Sequence, residues 1–594
     1  MRTASTPSVI TGDIPSIPGL LAQRLERSPH STFCERKSEL GGAWVAMSTQ
    51  AFVDQVVAVA RGLVARGVEP GDRVSIMART RFEWTLLDFA IWAAGAVPVP
   101  VYETSSTDQI AWILGDAGVS LALVETTAHA EATRSATEAP VLVIDDGAVE
   151  TLVAEGRAVS ELEIERRSAL ADADSLATVI YTSGTTGRPK GAELTHGNFT
   201  SLALEGAGGL PDVVSHDGAR TLLFMPLAHV FARYIEVMCV ASGAVLGHTP
   251  DTKNLLADLA TFKPTFLLAV PRVFEKVYNS AEQKASASKA KLTIFRWSAA
   301  TAIAYSRALD APGGPGAVLK ARLKVADGLV LHKLRAALGG DARWAISGGA
   351  PLGERLGHFY RGLGLRVLEG YGLTETTAPT AVNMPVMSKI GTVGPPFPGA
   401  SIRLAEDGEI EVSGRHVFRG YRNNPEATAE HLVDGWFRTG DLGSLDPDGY
   451  LTITGRKKEI IVTAGGKNVA PAVLEDRLRG HPLVSQVVVV GDGRPFIGAL
   501  VTLDAEMLPG WLATHSLPEM TVAEAARDHA VLAALDRAVA RTNEAVSRAE
   551  SIRKIAVLDV DFTEVNGYLT PSTKVKRAAV LRDFADRIEG LYAP

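Results

Sequence analysis

Residues Tyr181-Thr-Ser-Gly-Thr-Thr-Gly-Arg-Pro-Lys-Gly191 follow directly on the apolar run Leu176-Ala-Thr-Val-Ile180. Three glycines, four serine and threonine hydroxyls and a lysine after a strand-like run make a loop suited to holding phosphates. Glycines let backbone N–H groups approach phosphate oxygens, hydroxyls donate further hydrogen bonds or reach a metal ion, and lysine supplies counter-charge. The candidate nucleotide contacts here are Thr182, Ser183, Gly184, Thr185, Thr186, Gly187 and Lys190. Their spacing, Gly184-x-x-Gly187-x-x-Lys190, is not that of the P-loop, which disfavours a Walker-type ATPase or kinase.

The 594 residues leave room for about four domains at roughly 150 residues each, although α/β enzymes often merge several layers into one unit. A formal net charge of −7 and the lack of a long basic block argue against a dedicated nucleic-acid partner. The two cysteines, Cys34 and Cys239, lie far apart and suit a reducing compartment without disulfides or a zinc site. The N-terminal residues lack the apolar core of a signal peptide, so a cytoplasmic location is expected. No uncharged stretch reaches the ~18 residues of a membrane span. Asp88 interrupts one apolar segment, and Arg233 and Glu236 interrupt another. Membrane contact, where it occurs, is expected to be peripheral.

Working outward, strand-like runs alternate with helical patterns: Arg73–Met77, Ala96–Val101, Val119–Val124, Val141–Ile144 and Thr265–Val270. Between Ser48 and Gly67, Phe52, Val56, Val59 and Leu63 fall on one helical face, with Ser48 placed to cap it. Such alternation reads as an α/β fold of sheets covered by helices. After residue 400 the pattern changes: Ile402–Val412, with Asp407-Gly408 at its centre, reads as a β-hairpin. Further on come Val487–Val490, a turn at Gly491–Pro495, and a helix with Val531, Leu535, Val539 and Val546 on its apolar face. The stretch from about Glu282 to Gly340 is rich in Ala, Lys and Leu and helical in character, apart from Pro312–Gly316.

Five more motifs follow in order: Ser347-Gly-Gly-Ala-Pro-Leu352, Tyr371-Gly-Leu-Thr-Glu375, Thr439-Gly-Asp441, Gly455-Arg-Lys-Lys-Glu-Ile460 and Pro571-Ser-Thr-Lys574. With the opening loop they closely resemble the signatures of the adenylate-forming superfamily over nearly the whole chain. The resemblance implies a luciferase-like α/β fold of layered sheets, with a large N-terminal domain over residues 1–454 and a small mobile α+β domain over 455–594. It implies that ATP activates a carboxylic acid, with pyrophosphate leaving, and that CoA then takes the acyl group.

Such chemistry needs no enzyme nucleophile, because the substrate carboxylate attacks the α-phosphorus, and the task is charge control. By resemblance, Tyr371 faces adenine, Thr374 meets the α-phosphate, and Glu375 and Thr182 share Mg²⁺. Gly349, Glu369 and Gly370 complete the nucleotide pocket, while Asp441 accepts from the ribose hydroxyls and Arg456 closes on the ribose. Lys574 matches the mobile catalytic lysine, and His229 matches the group that orients the acyl carboxylate. Gly465, Gly466 and Lys467 match the hairpin lining the CoA channel.

Phe274 stands where the long-chain branch has an aromatic gate on its fatty-acid tunnel, and there a tryptophan is the commoner residue. Lys458, at the hinge, stands where many members carry aspartate. The Gly-Arg-x-Lys-Glu form and the long helical insertion resemble long-chain fatty-acyl-CoA synthetases. Two other readings stay open: a fatty-acyl-AMP ligase serving a carrier protein, and a non-catalytic nucleotide-binding scaffold.

Overall fold

The computed structural model describes residues 2–38, 42–182, 188–286, 288–570 and 574–593. Arg73–Met77, Val97–Val101, Val119–Val124 and Val141–Val143 form a parallel sheet with Val97–Val101 at one edge. Edge placement accommodates Pro98 and Pro100, which have no N–H to donate to a ladder. A second sheet aligns Arg220–Leu223, Val245–His248 and Thr32–Lys37 in parallel, with Trp44–Ser48 antiparallel beside them.

Two further sheets carry the motif-bearing strand ends. Leu176–Thr182 pairs antiparallel with Lys190–Thr195, which in turn pairs with Gly420–Tyr421. Phe266–Ala269, Trp344–Ser347 and Arg366–Tyr371 run parallel, and Ala381–Val382 closes that sheet. The motif segments beginning near Thr182, Ser347 and Tyr371 thus all start where a strand stops. Ligands in α/β folds gather at such carboxyl ends.

Helices cover the sheets as their apolar faces require. Thr49–Ala65 begins where the Ser48 side chain accepts the Ala51 N–H, and its Phe52, Val56, Val59 and Leu63 are all buried. Gly62 on this helix lets the helix Ala148–Glu155 come close: a Cβ there would stand 2.1 Å from the Leu152 carbonyl oxygen. The Ala/Lys/Leu-rich stretch forms the helices Lys289–Leu309 and Ala317–Ala326, next in sequence to Pro271–Ser286.

After residue 400 the chain builds an antiparallel sheet. The expected hairpin pairs Ser401–Leu404 with Glu409–Ser413, and Trp436–Leu445 and Leu451–Arg456 extend the sheet. A 3₁₀ turn at Lys457–Glu459 then leads into a separate core.

That core packs Val484–Val490, Ile497–Leu503 and Ile552–Val557 as a sheet with apolar residues on both faces. Val487 and Val489 meet Leu474, Leu478, Val531 and Leu535 on one face, while Val488 and Val490 meet Phe562, Val580 and Leu591 on the other. Alternate side chains of a strand point to opposite faces, so a run of valines fills both layers. The helix expected to carry Val546 ends earlier, at Asn543. The Asn543 side chain clasps Ile552, accepting its N–H and donating to its carbonyl oxygen, both at 2.9 Å, and this turns the chain. Val546 still packs against the same core.

The two units meet along the helix Pro271–Ser286. Arg272 pairs with Asp504 at 2.6 Å and Lys276 with Glu506 at 2.7 Å. Gly62→Ala is expected to lower the melting transition of the larger unit. The helix-propensity gain of about 1 kcal/mol is outweighed by overpacking against a backbone oxygen, typically about 1–3 kcal/mol. An unchanged or raised midpoint in thermal unfolding would show that the two helices separate at no cost.

Candidate active site

A cross-strand pair anchors the cleft. In the ladder between Trp436–Leu445 and Leu451–Arg456, Asp441 lies opposite Arg456. Its Oδ1 accepts from Arg456 Nε at 2.8 Å and its Oδ2 from the Tyr371 hydroxyl at 2.7 Å. The Asp441 carboxylate holds Arg456 above its usual pKa, and burial with Asp441 nearby pushes the Tyr371 phenol well up, so it stays a donor. Three motifs thereby converge on one carboxylate, two from neighbouring strands and Tyr371 from 70 positions away.

Tyr371 ends its strand, and Thr374 and Glu375 stand on the 3₁₀ turn Thr374–Thr376 just beyond. Gly372 between them admits no side chain, since a Cβ would fall 1.3 Å from the Ala378 carbonyl oxygen. Thr377 and Ala378 both adopt positive φ, 54° and 85°. Such strained backbone in non-glycine residues gathers at ligand sites. The Tyr421 hydroxyl donates to Glu375 Oε1 at 2.9 Å, and the second carboxylate oxygen has no partner among the described residues.

Lys190 starts its strand with Nζ 5.0 Å from the centre of the Tyr421 ring. Thr182 ends the neighbouring strand, and its hydroxyl donates to the Lys190 carbonyl oxygen at 3.4 Å. Ser183, Gly184, Thr185, Thr186 and Gly187 lie outside the described residues. Glu369 and Gly370 belong to the Tyr371 strand, and Gly349 lies in the loop after Ser347. Glu369 Oε1 accepts from the Leu352 N–H at 3.0 Å. Burial, and then Asp476 across the domain boundary, push the Glu369 carboxyl up to about 7 despite that hydrogen bond.

His229 caps the helix Val230–Ser242 and its Nδ1 accepts from the Phe231 N–H at 3.2 Å. That bond fixes the tautomer with the proton on Nε2. Burial, and then the nearby Lys574 ammonium, hold the imidazole down at about 4, so it is a neutral donor at physiological pH.

Lys574 comes from the far end of the chain yet interacts electrostatically with His229, Arg456, Asp441 and Glu375. Burial of its ammonium among these groups lowers the Lys574 pKa, although the residue keeps accessible surface. Arg456 adds to the lowering; Asp441, Glu375 and Glu459 oppose it. Backbone bonds with Thr570 hold the lysine: Thr570 N–H donates to its carbonyl oxygen at 2.8 Å, and the Thr570 hydroxyl accepts its N–H at 3.1 Å. Pro571, Ser572 and Thr573 of the same motif lie outside the described residues.

Phe274 is buried on the helix Pro271–Ser286, edge-on to Tyr360 at 5.2 Å between centroids. The Tyr360 hydroxyl donates to the Phe274 carbonyl oxygen at 2.7 Å. Gly465, Gly466 and Lys467 are exposed in the hairpin between Ile461–Val462 and Asn468–Val469, with Lys467 paired to Glu550 at 3.2 Å.

Sequence reasoning did not find Tyr421, which touches both Lys190 and Glu375. Its signal is faint, a tyrosine in a two-residue strand that only the sheet pairing brings beside the strand starting at Lys190. It did not find Arg272 and Lys276 either, whose partners lie in another domain.

Among the described residues no three His, Cys, Asp or Glu side chains form a metal cluster. One half-free carboxylate at Glu375 suits a Mg²⁺ that arrives with phosphates and keeps their oxygens and water as its other ligands.

The family model described as AMP-binding enzyme matches residues 21–422, and the one described as AMP-binding enzyme C-terminal domain matches 458–594. A long-chain-fatty-acid–CoA ligase FadD15 from Mycobacterium bovis is 50% identical over 602 aligned residues, covering 100% of both chains. Its namesake from Mycobacterium tuberculosis is 49% identical with the same coverage. The crystal structure of the anthranilate CoA ligase AuaEII in complex with anthranoyl-AMP superposes with a TM-score of 0.74 at 18% identity, over 98% of this chain and 99% of that one. At that identity the likeness speaks for the fold. With both family models matched in order along one chain, the protein is a member of the AMP-binding enzyme family.

Proposed function

We propose that the protein is an AMP-forming long-chain fatty-acid–CoA ligase: ATP and a fatty acid give acyl-adenylate and pyrophosphate, and CoA then takes the acyl group and releases AMP. The observation that carries this reading is the gathering of Lys574, Arg456, His229 and Glu375 around one cleft from both units of the chain. The full-length relatives named as long-chain-fatty-acid–CoA ligases support the substrate class.

In this reading Tyr371 stacks on adenine, Gly349, Glu369 and Gly370 frame it, and Asp441 with Arg456 holds the ribose. The loop from Thr182 to Lys190 and the Thr374 hydroxyl meet the phosphates. Glu375 and Thr182 hold Mg²⁺, which when bound supplies neutralising charge to the phosphate oxygens. His229, neutral and protonated on Nε2, donates to one carboxylate oxygen without neutralising the nucleophile. Lys574 bridges the approaching carboxylate and the α-phosphate, countering the charge that grows on the phosphoryl oxygens.

The two working parts are residues 1–454 and 455–594, which separate after adenylation around Gly455–Ile460. Gly465, Gly466 and Lys467 then line the entry of the CoA thiol, and Phe274 gates the acyl tunnel. The aromatic packing of Phe274 on Tyr360 supports an apolar path at that point.

We place the enzyme in the cytoplasm, consistent with two buried free thiols. No described helix is long and apolar enough to cross a membrane. Peripheral lipid contact finds support in the helix Ala317–Ala326, where exposed Val318 and Val325 stand among Lys320, Arg322 and Lys324.

Long-chain acids should drive ATP–pyrophosphate exchange without CoA, and AMP should accumulate steadily only when CoA is added. Exchange with no acid in a panel from short to very long chains would contradict the assignment. Lys574→Ala should slow acyl-adenylate formation by at least about 10²-fold, the usual loss for one preorganised donor, while sparing thioester formation from supplied acyl-adenylate. Equal loss in both half-reactions would count against a lysine delivered for the first step alone.

A further inference from the structure

Asp88, Arg233 and Glu236, the charges that break the apolar segments of the sequence, meet in the interior with no exposed surface. Arg233 donates to Asp88 through two parallel bonds, Nε to Oδ2 at 2.7 Å and Nη2 to Oδ1 at 2.5 Å. Its remaining arm, Nη1, donates to the Thr178 hydroxyl at 2.6 Å, which itself donates to the Pro98 carbonyl oxygen at 2.7 Å. The guanidinium is flanked by Trp84 and Trp92, 5.4 and 5.0 Å from the ring centres. Burial and the Asp88 charge push Glu236 up to about 8, so it stays neutral and Asp88 is the counter-charge.

Stability alone is a poor reason for this arrangement. An ion pair taken out of water incurs a desolvation penalty that can exceed its mutual attraction, and apolar residues of similar volume often serve as well. Its location is more informative. Arg233 lies one helical turn beyond His229, and its N–H donates to the His229 carbonyl oxygen at 3.3 Å. Thr178 lies on the same face of its strand as Thr182, where the phosphate loop begins. Asp88 comes from a third element, the helix Phe82–Ala93, whose Trp92 indole also donates to the Ala177 carbonyl oxygen at 2.8 Å.

We infer that Asp88, Arg233 and Thr178 are positioning residues that fix the helix carrying His229 against the strand carrying Thr182, and so set the approach of the acyl carboxylate to the nucleotide phosphate. The inference rests on the roles proposed above for His229 and the Thr182 loop. Those two groups belong to separate sheet and helix layers, and the planar fork of Arg233 links them through fixed bonds. A displacement of about 1 Å between reacting partners costs on the order of 10²-fold in rate. Thioester formation begins from an acyl-adenylate already joined, so it does not depend on that distance.

The test is single-turnover kinetics of both half-reactions in Thr178→Val, with Thr178→Ser as the conservative rescue. Thr178→Val keeps the side-chain shape and the Asp88–Arg233 pair but cuts the link to the strand. Adenylation is expected to slow by about 10–100-fold, with thioester formation from supplied acyl-adenylate within about twofold of wild type. Thr178→Ser should restore adenylation. Arg233→Lys, which keeps the charge beside Asp88 but loses the fork, should reproduce the selective defect and gives a second reading if the valine variant folds poorly. Unchanged adenylation in folded Thr178→Val, or equal losses in both half-reactions matching a loss of folded protein, would overturn the inference. A wild-type protein that forms no acyl-adenylate would sink the proposed function itself, and this inference with it.

Discussion

Repulsion between a carboxylate and a polyphosphate is the constraint around which this molecule is arranged. Two unit charges 4 Å apart interact by about 4 kcal/mol at an effective dielectric of ~20, and a triphosphate multiplies that. A cleft with a permanent surplus of cations would relieve the repulsion but hold the products as firmly as the reactants. Beyond Lys190 of the phosphate loop, the structure balances its charges: Asp441 neutralises Arg456, Tyr421 occupies one oxygen of Glu375, and His229 is a neutral donor. Lys574 is the charge supplied from elsewhere, on a unit that also contacts the larger one through Arg272–Asp504 and Lys276–Glu506. In the proposed mechanism, cation supply and domain position are therefore one variable.

Sheet geometry makes this possible. Asp441 and Arg456 face one another in the last ladder before the chain leaves the large unit, so the proposed ribose clamp and the proposed hinge share a strand. The phosphate-loop strand, the strand ending at Ser347 and the strand ending at Tyr371 all deliver their motifs at their carboxyl ends. Rigid strands upstream allow the downstream turns to be strained, as at Thr377 and Ala378, without loss of register.

Much of this was legible in the sequence because it is local. A capping serine before a periodic helix, a hairpin around Asp407-Gly408 and an apolar run emptying into glycines each state their structure within a few residues. The pairing of Asp88 with Arg233 was not legible, although both stood out as charges in apolar segments, since partner choice depends on how a helix packs across two layers. The same holds for Tyr421, which sheet pairing carries to Glu375, and for the early end of the helix at Asn543, where a side-chain clasp on Ile552 overrides continuing apolar spacing. Proximity of Lys574 to the cleft followed from a motif match alone; nothing in its own neighbourhood of the sequence points there.

The central claim is that the acyl carboxylate becomes bonded to the α-phosphorus of ATP. A fatty acid labelled with ¹⁸O in its carboxylate, turned over with ATP and CoA and followed by mass spectrometry of the nucleotide, tests it directly. The account predicts one ¹⁸O in the phosphate of each AMP formed, because the thiol attacks the acyl carbon and the bridging oxygen leaves with phosphorus. Unlabelled AMP, or label appearing in inorganic phosphate beside ADP, would contradict it.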